Sequence, residues 1–309
     1  MSIFFKAFRG MNPRLQLIMA VFLMIVFFFI VSALSVPVAI AFFGSNEVFN
    51  AWGGHLEGAE GIELLKYIQT TQSVGLFVVP PLVIGWLYEG NAFTYLHLNS
   101  KVYGRSLWLA FVLIIFISPL VSVLGEWNSH LQLPGSMAGI QQWMQNMEDK
   151  ANGVVQQFME VHSVGGILFN YLMIAILPAF GEEFLFRGVL QNIFIRMTRN
   201  FHGGIWVTAF LFSAIHMQFF GFLPRMVLGA VFGYLVFYSG SLWLAVLCHF
   251  INNAVAVTSM LAAQKGYGQL GKLSDFTNVS PEVQLFLALI SLVGTLWILR
   301  RIRAIYKRP

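Results

Sequence analysis

Residues 15–42 read LQLIMAVFLMIVFFFIVSALSVPVAIAF, an apolar run without one charged side chain. About 20 helical residues cross a ~30 Å hydrocarbon core, so this run is long enough to span a bilayer. It is also much longer than the ~7–15 residue apolar core of a secretory signal. Following Lys6, Arg9 and Arg14, it reads as a signal anchor that stays attached. Outward from it, stretches 106–125, 164–181, 203–220, 242–262 and 283–299 repeat the pattern. Two spans are less clean: 68–88 contains Pro80 and Pro81, and 224–239 is short. Together they predict an all-α, polytopic membrane protein of about eight transmembrane helices. Composition agrees, with 58% of the 309 residues hydrophobic and 10% charged, against about a quarter charged in soluble domains.

The charge balance of +5 follows membrane topology rather than nucleic-acid binding. Lys6, Arg9, Arg14, Lys101, Arg105, Arg187, Arg196, Arg199, Arg300, Arg301, Arg303, Lys307 and Arg308 fall on one side of the expected spans. Cytoplasmic loops carry such an excess, so both termini are expected in the cytoplasm, as in a bacterial inner-membrane protein. One cysteine, Cys248, excludes an internal disulfide and a cysteine-rich metal knuckle; it reads as a small apolar packing residue. With no repeat or long linker, residues 1–309 read as a single membrane domain. The extramembrane segment near 126–163 places Ile140, Trp143, Met144 and Met147 at helical spacing after Ser136. It predicts an amphipathic helix on the outer surface, either a plain cover or a gate for substrate.

Chemistry concentrates between 178 and 253, because ionisable groups inside membrane spans are costly and tend to face one another or a substrate path. The stretch LPAFGEEFLFRGVL (177–190) carries Glu182, Glu183 and Arg187; FSAIHM (212–217) carries His216; CHFINN (248–253) carries His249, Asn252 and Asn253. At 1.5 Å per residue, Glu182 and His216 lie roughly 20 Å in from the cytoplasmic ends of their helices, His249 roughly 12 Å and Asn253 roughly 18 Å. Three helices thus bring polar groups to similar levels. Glu183 and Arg187 are four apart, in the favourable order for an ion pair. Glu182 is turned about 100° from Glu183 and lacks a local cation, which suits a general base. His249 and Asn253 are also four apart, so Asn253 is placed to orient His249 or to donate to the same oxyanion.

The motifs Glu182-Glu183-x-x-x-Arg187, Phe212-x-x-x-His216 and His249-x-x-x-Asn253, in this order, resemble those of the CPBP family. That family groups type 2 CAAX prenyl proteases with bacteriocin-processing and self-immunity proteins. The resemblance marks 163–262 as a catalytic helix core and implies intramembrane peptide-bond hydrolysis. It implies that Glu182 activates water with His216, that Glu183 pairs with Arg187, and that His249 with Asn253 stabilises the oxyanion. Phe212 is then a core or substrate-wall residue. The expected partners are the lipid bilayer and a peptide or membrane-protein substrate. Glu182, His216 and His249 also match the ligand types of a catalytic zinc site with one open position; zinc and a metal-free arrangement both remain open.

Bland readings stand beside these. Glu183 and Arg187 as a structural ion pair is compatible with catalysis. His55, His97, His130, His162 and His202 read as solvated. A noncatalytic membrane scaffold or immunity protein could keep the polar cluster, and a proton-coupled transporter could use it as a relay.

Overall fold

Asn12 accepts a hydrogen bond from the Arg14 backbone N–H at 3.0 Å, Pro13 takes the first helical position, and the long apolar run winds from there into α1, Pro13–Phe43. The structure is a computed structural model that describes residues 8, 10–54, 58–161, 163–264, 266–267 and 279–307. Lys6, Arg9, Arg308, His55 and His162 lie outside the described residues. After α1 come α2 (Gly58–Glu89), α3 (Gly104–Ser129), α4 (Ala138–Met159), α5 (Val164–Thr198), α6 (Phe201–Ala214), α7 (Phe219–Ser239), α8 (Trp243–Gln264) and α9 (Pro281–Tyr306). All but α4 and α6 are long and apolar enough to cross a membrane, seven in all among the described residues. No strand occurs among those residues, so the chain is an all-α integral membrane protein.

The difference from eight clean spans lies at 203–220. An uninterrupted helix was expected there, yet α6 is 14 residues long and stops at Ala214. Local polar groups end it. His216 Nδ1 donates to the Phe212 carbonyl at 2.7 Å, and Ser213 Oγ donates to the Phe222 carbonyl at 2.6 Å. Met217 adopts a left-handed φ of 54° that reverses the chain. The apolar residues 219–223 therefore belong to α7, which is longer than the 224–239 expected. At 1.5 Å per residue α6 covers only about 21 Å, so its turn into α7 stands inside the bundle. Non-helical backbone at that depth is tolerated where it lines a cavity, and this turn does.

Prolines shape the two helices that frame the site. A proline has no N–H for the carbonyl four residues earlier, and in each case the preceding turn is widened. The Val79 N–H reaches the Val74 carbonyl ahead of Pro80 and Pro81 in α2, and the Leu177 N–H reaches the Leu172 carbonyl ahead of Pro178 in α5. Such wide turns recur at functional sites.

Burial is graded across the bundle. In α1 only Gln16, Ala20 and Ala39 are buried, while Phe22, Phe29, Leu34 and Phe42 point outward, as suits a helix facing lipid. At the centre, Leu228, Phe232 and Leu235 of α7 pack with Leu244, Ala245 and Cys248 of α8 against Ile84, Leu113 and Ile298 of α2, α3 and α9. The expected amphipathic segment contains α4. Its Trp143 ring packs on Phe219 at 5.3 Å, Glu148 accepts from the Phe220 N–H at 3.3 Å, and Phe158 and Met159 at its end are buried among Met173, Val257 and Leu261. Thus α4 is tied to the α6–α7 turn at one end and to α5 and α8 at the other.

Candidate active site

Glu183 and Arg187 sit on one face of α5, wholly inside the bundle, with Arg187 Nη1 donating to Glu183 Oε1 at 2.7 Å. Arg187 Nη2 donates to the Gly229 carbonyl of α7 at 3.0 Å, and its guanidinium lies 4.4 Å from the Phe212 ring centre and 5.6 Å from that of Phe232. A Cβ at Gly229 would meet Phe212 at 3.1 Å and Arg187 Nη2 at 3.3 Å, so the glycine lets the cation reach the backbone. The same Glu183 oxygen accepts a second bond, from His249 Nδ1 at 2.8 Å. Glu183 therefore orients His249, tying α5 to α8. A carboxylate on Nδ1 fixes that proton and turns Nε2 to the other side of the ring.

On that other side stands Glu182. Its Oε2 is 3.7 Å from His249 Nε2, too long for a direct hydrogen bond and suited to a group held between the two. Glu182 opens onto a cavity of about 780 Å³ whose wall also carries His216, His249, Asn252, Asn253 and Phe212. His216 Nδ1 is spent on the Phe212 carbonyl, so the nitrogen left for the cavity is again Nε2. Gly181 permits this geometry: a Cβ there would stand 2.9 Å from that of Phe77, so α5 can press against α2 beside Glu182.

Glu182, His216, His249 and Asn253, named from sequence, thus line one cavity, with Glu183 and Arg187 directly behind it. Asn253 does not contact His249 by a hydrogen bond. Its Nδ2 donates to the Ile174 carbonyl at 3.2 Å and its Oδ1 accepts from Asn252 Nδ2 at 3.2 Å. Ile174 lies four residues before Pro178, so Asn253 serves the very carbonyl to which that proline has no N–H to offer. An amide nitrogen has two protons, which leaves one for the cavity. Phe212 is buried and touches Arg187, His216 and His249 with its ring, at 5.1 and 5.9 Å between ring centres for the two histidines. Cys248 is buried, as expected of a packing residue. Away from the site, His130 is exposed, His97 is half-buried rather than solvated, and His202 meets the Tyr234 hydroxyl at 2.7 Å.

Among the described residues no three His, Cys, Asp or Glu side chains stand so that they could hold one metal ion.

Sequence reading gave Arg225 no role. It stands near the start of α7, in the wall of the same cavity, held by the Gln218 side chain at 2.9 Å and the Gln218 carbonyl at 3.3 Å. The signal was present: an arginine just after Pro224 breaks the start of an otherwise apolar helix, and charges in such helices often mark functional sites.

A bundle of membrane helices with a buried carboxylate–histidine pair behind a polar cavity defines a class, that of membrane proteins with an internal polar site. Comparison with known proteins names a family. Residues 164–255, from the start of α5 into α8, match the type II CAAX prenyl endopeptidase Rce1-like family. The match covers all the motif residues and bears out the family resemblance drawn from them. The chain is also 28% identical over 120 residues to the uncharacterized protein YpbD of Bacillus subtilis (strain 168), an overlap of 38% of this chain and 57% of YpbD. It thus spans a little over half of that relative's length. No solved structure matches.

Proposed function

We propose that this protein is an intramembrane endopeptidase of the CAAX type, hydrolysing a peptide bond of a membrane-associated protein or peptide with water activated by Glu182. One observation carries the reading: Glu182, His216, His249 and Asn253, from three separate stretches of chain, line a single cavity of about 780 Å³. The Rce1-like match over 164–255 supports the reaction class.

In this mechanism Glu182 takes a proton from a water that His216 Nε2 helps to hold. The oxygen adds to the scissile carbonyl carbon, and charge moves onto the carbonyl oxygen. His249, with a proton on Nε2, and the second N–H of Asn253 Nδ2 donate to that oxyanion; such donors are each worth ~10²–10³ in kcat. Collapse breaks the C–N bond, and Glu182 returns its proton to the leaving amine. Glu183 positions His249 through Nδ1 and is itself held by Arg187. No step needs a metal.

The excess of Lys and Arg at one end of the spans supports a bacterial cytoplasmic membrane with both termini inside and α4 outside. Cysteines introduced in α4 should then react with an impermeant reagent from outside, and those in 196–202 should not; the reverse pattern overturns the orientation. For the activity, the purified protein in lipid nanodiscs is incubated with a randomised peptide library and products are read by mass spectrometry. Cleavage is expected from wild type and not from Glu182→Gln or His216→Ala. Products that persist unchanged in both variants would remove this site from the reaction.

A further inference from the structure

Arg225 is a permanent cation in the wall of the cavity that holds Glu182, His216, His249 and Asn253. A charge set into an apolar bundle is costly unless it is paired. Among the described residues its guanidinium bonds only Gln218, through the side-chain and backbone oxygens at 2.9 and 3.3 Å, both neutral acceptors. Glu148 and Glu182 stand close enough for their charge to act on Arg225, but neither hydrogen-bonds its guanidinium. Glu183 is taken up by Arg187 and His249, while Glu148 of α4 accepts from the Phe220 N–H and Glu182 faces His249. A guanidinium presents five N–H donors in a planar fork that matches a carboxylate, so donors remain beyond the two given to Gln218. Gly221 leaves the fork its room, since a Cβ there would stand 3.2 Å from Nη2.

We infer that Arg225 is a specificity residue that binds a carboxylate of the substrate inside the cavity, so that the preferred peptides carry a negative charge near the scissile bond. This rests on the reading of the cavity as a proteolytic site. The carboxylate is either an acidic side chain or a free C-terminus, and the guanidinium recognises the chemistry the two share.

The test uses the full chain in nanodiscs and peptides chosen from the cleaved library members. Where none is cleaved, they are chosen from members retained by immobilised Glu182→Gln protein. Each peptide is made in matched forms: Glu against Gln at one position, and free carboxyl against amide at the end. Wild type should favour one ionised form by at least about ten-fold in KM, the size expected for a charge-assisted bond. The Glu/Gln pair responds if the charge is a side chain, and the carboxyl/amide pair if it is terminal. Arg225→Gln should erase that preference while leaving kcat and the neutral peptides within a few-fold, and Arg225→Lys should keep part of it. Equal handling of charged and neutral forms by wild type overturns the inference without touching the proteolytic reading, and this comparison stands even where a variant does not fold. Undiminished preference in folded Arg225→Gln does the same. Carboxylate peptides bound through Arg225 yet never cut would keep the site and sink the protease; no selective binding and no cleavage would sink both.

Discussion

On one side of α5, Glu183 is fully buried, with a single oxygen shared between Arg187 and His249. One residue earlier and about 100° round the helix, Glu182 faces a cavity of about 780 Å³ and approaches the far nitrogen of the same histidine. Two identical side chains thus occupy different solvents, joined by one imidazole that touches both. A carboxylate locked between Arg187 and His249 holds a shape. One beside open space with no cation bonded to it is placed for the proton transfer proposed above. Position on the helix, not residue type, separates structure from chemistry here.

The largest effect in stability belongs to the dry side. Arg187→Leu leaves Glu183 charged, buried and short of a partner, and breaking such a pair costs about 3–5 kcal/mol. Thermal unfolding in detergent should show a large drop in Tm; an unchanged Tm would mean that the pair does not hold the bundle. Replacing both partners, as in Glu183→Gln with Arg187→Met, should recover much of the Tm, because the uncompensated charge is gone. Cleavage should stay low, because His249 then lacks the carboxylate that fixes its proton. Recovery of cleavage would break the proposed link between the two sides.

Asn253→Ala tests the boundary between the sides. It removes the donor to the Ile174 carbonyl, worth about 1–3 kcal/mol if that oxygen is left bare, and one proposed oxyanion donor, worth ~10²–10³ in kcat. A loss of Tm with kcat intact would assign Asn253 to helix repair at Pro178 alone. The smallest effect is expected from chelation: dialysis against a strong chelator should leave turnover unchanged. Stoichiometric zinc in the purified protein, with activity lost on its removal and restored on its return, would contradict the metal-free account.

Much of this was legible in the sequence for plain reasons. Charge-free runs such as 15–42 and 283–299 answer to bilayer thickness alone and become α1 and α9. Glu182, Glu183, Arg187, His216, His249 and Asn253 stood out because ionisable and amide groups are rare inside apolar helices. The end of α6 was not legible. Hydropathy runs straight from 203 through 220, and the turn is made by side-chain bonds from Ser213 and His216 to carbonyls it does not register. Nor was the bond between Glu183 and His249, whose partners lie 66 residues apart on separate helices. Spacing within α8 pointed to Asn253 instead, which the structure gives to Ile174.

The central claim is that adjacent glutamates do different work, and paired measurements on Glu182→Gln and Glu183→Gln test it most directly. Tm in detergent and cleavage of a library-derived peptide are recorded for both. Glu182→Gln should keep a wild-type Tm and lose at least about 10²-fold in turnover as a lost proton-transfer group, while Glu183→Gln should lose Tm and turnover together. Full cleavage by Glu182→Gln, alongside a stable but inactive Glu183→Gln, would contradict the account.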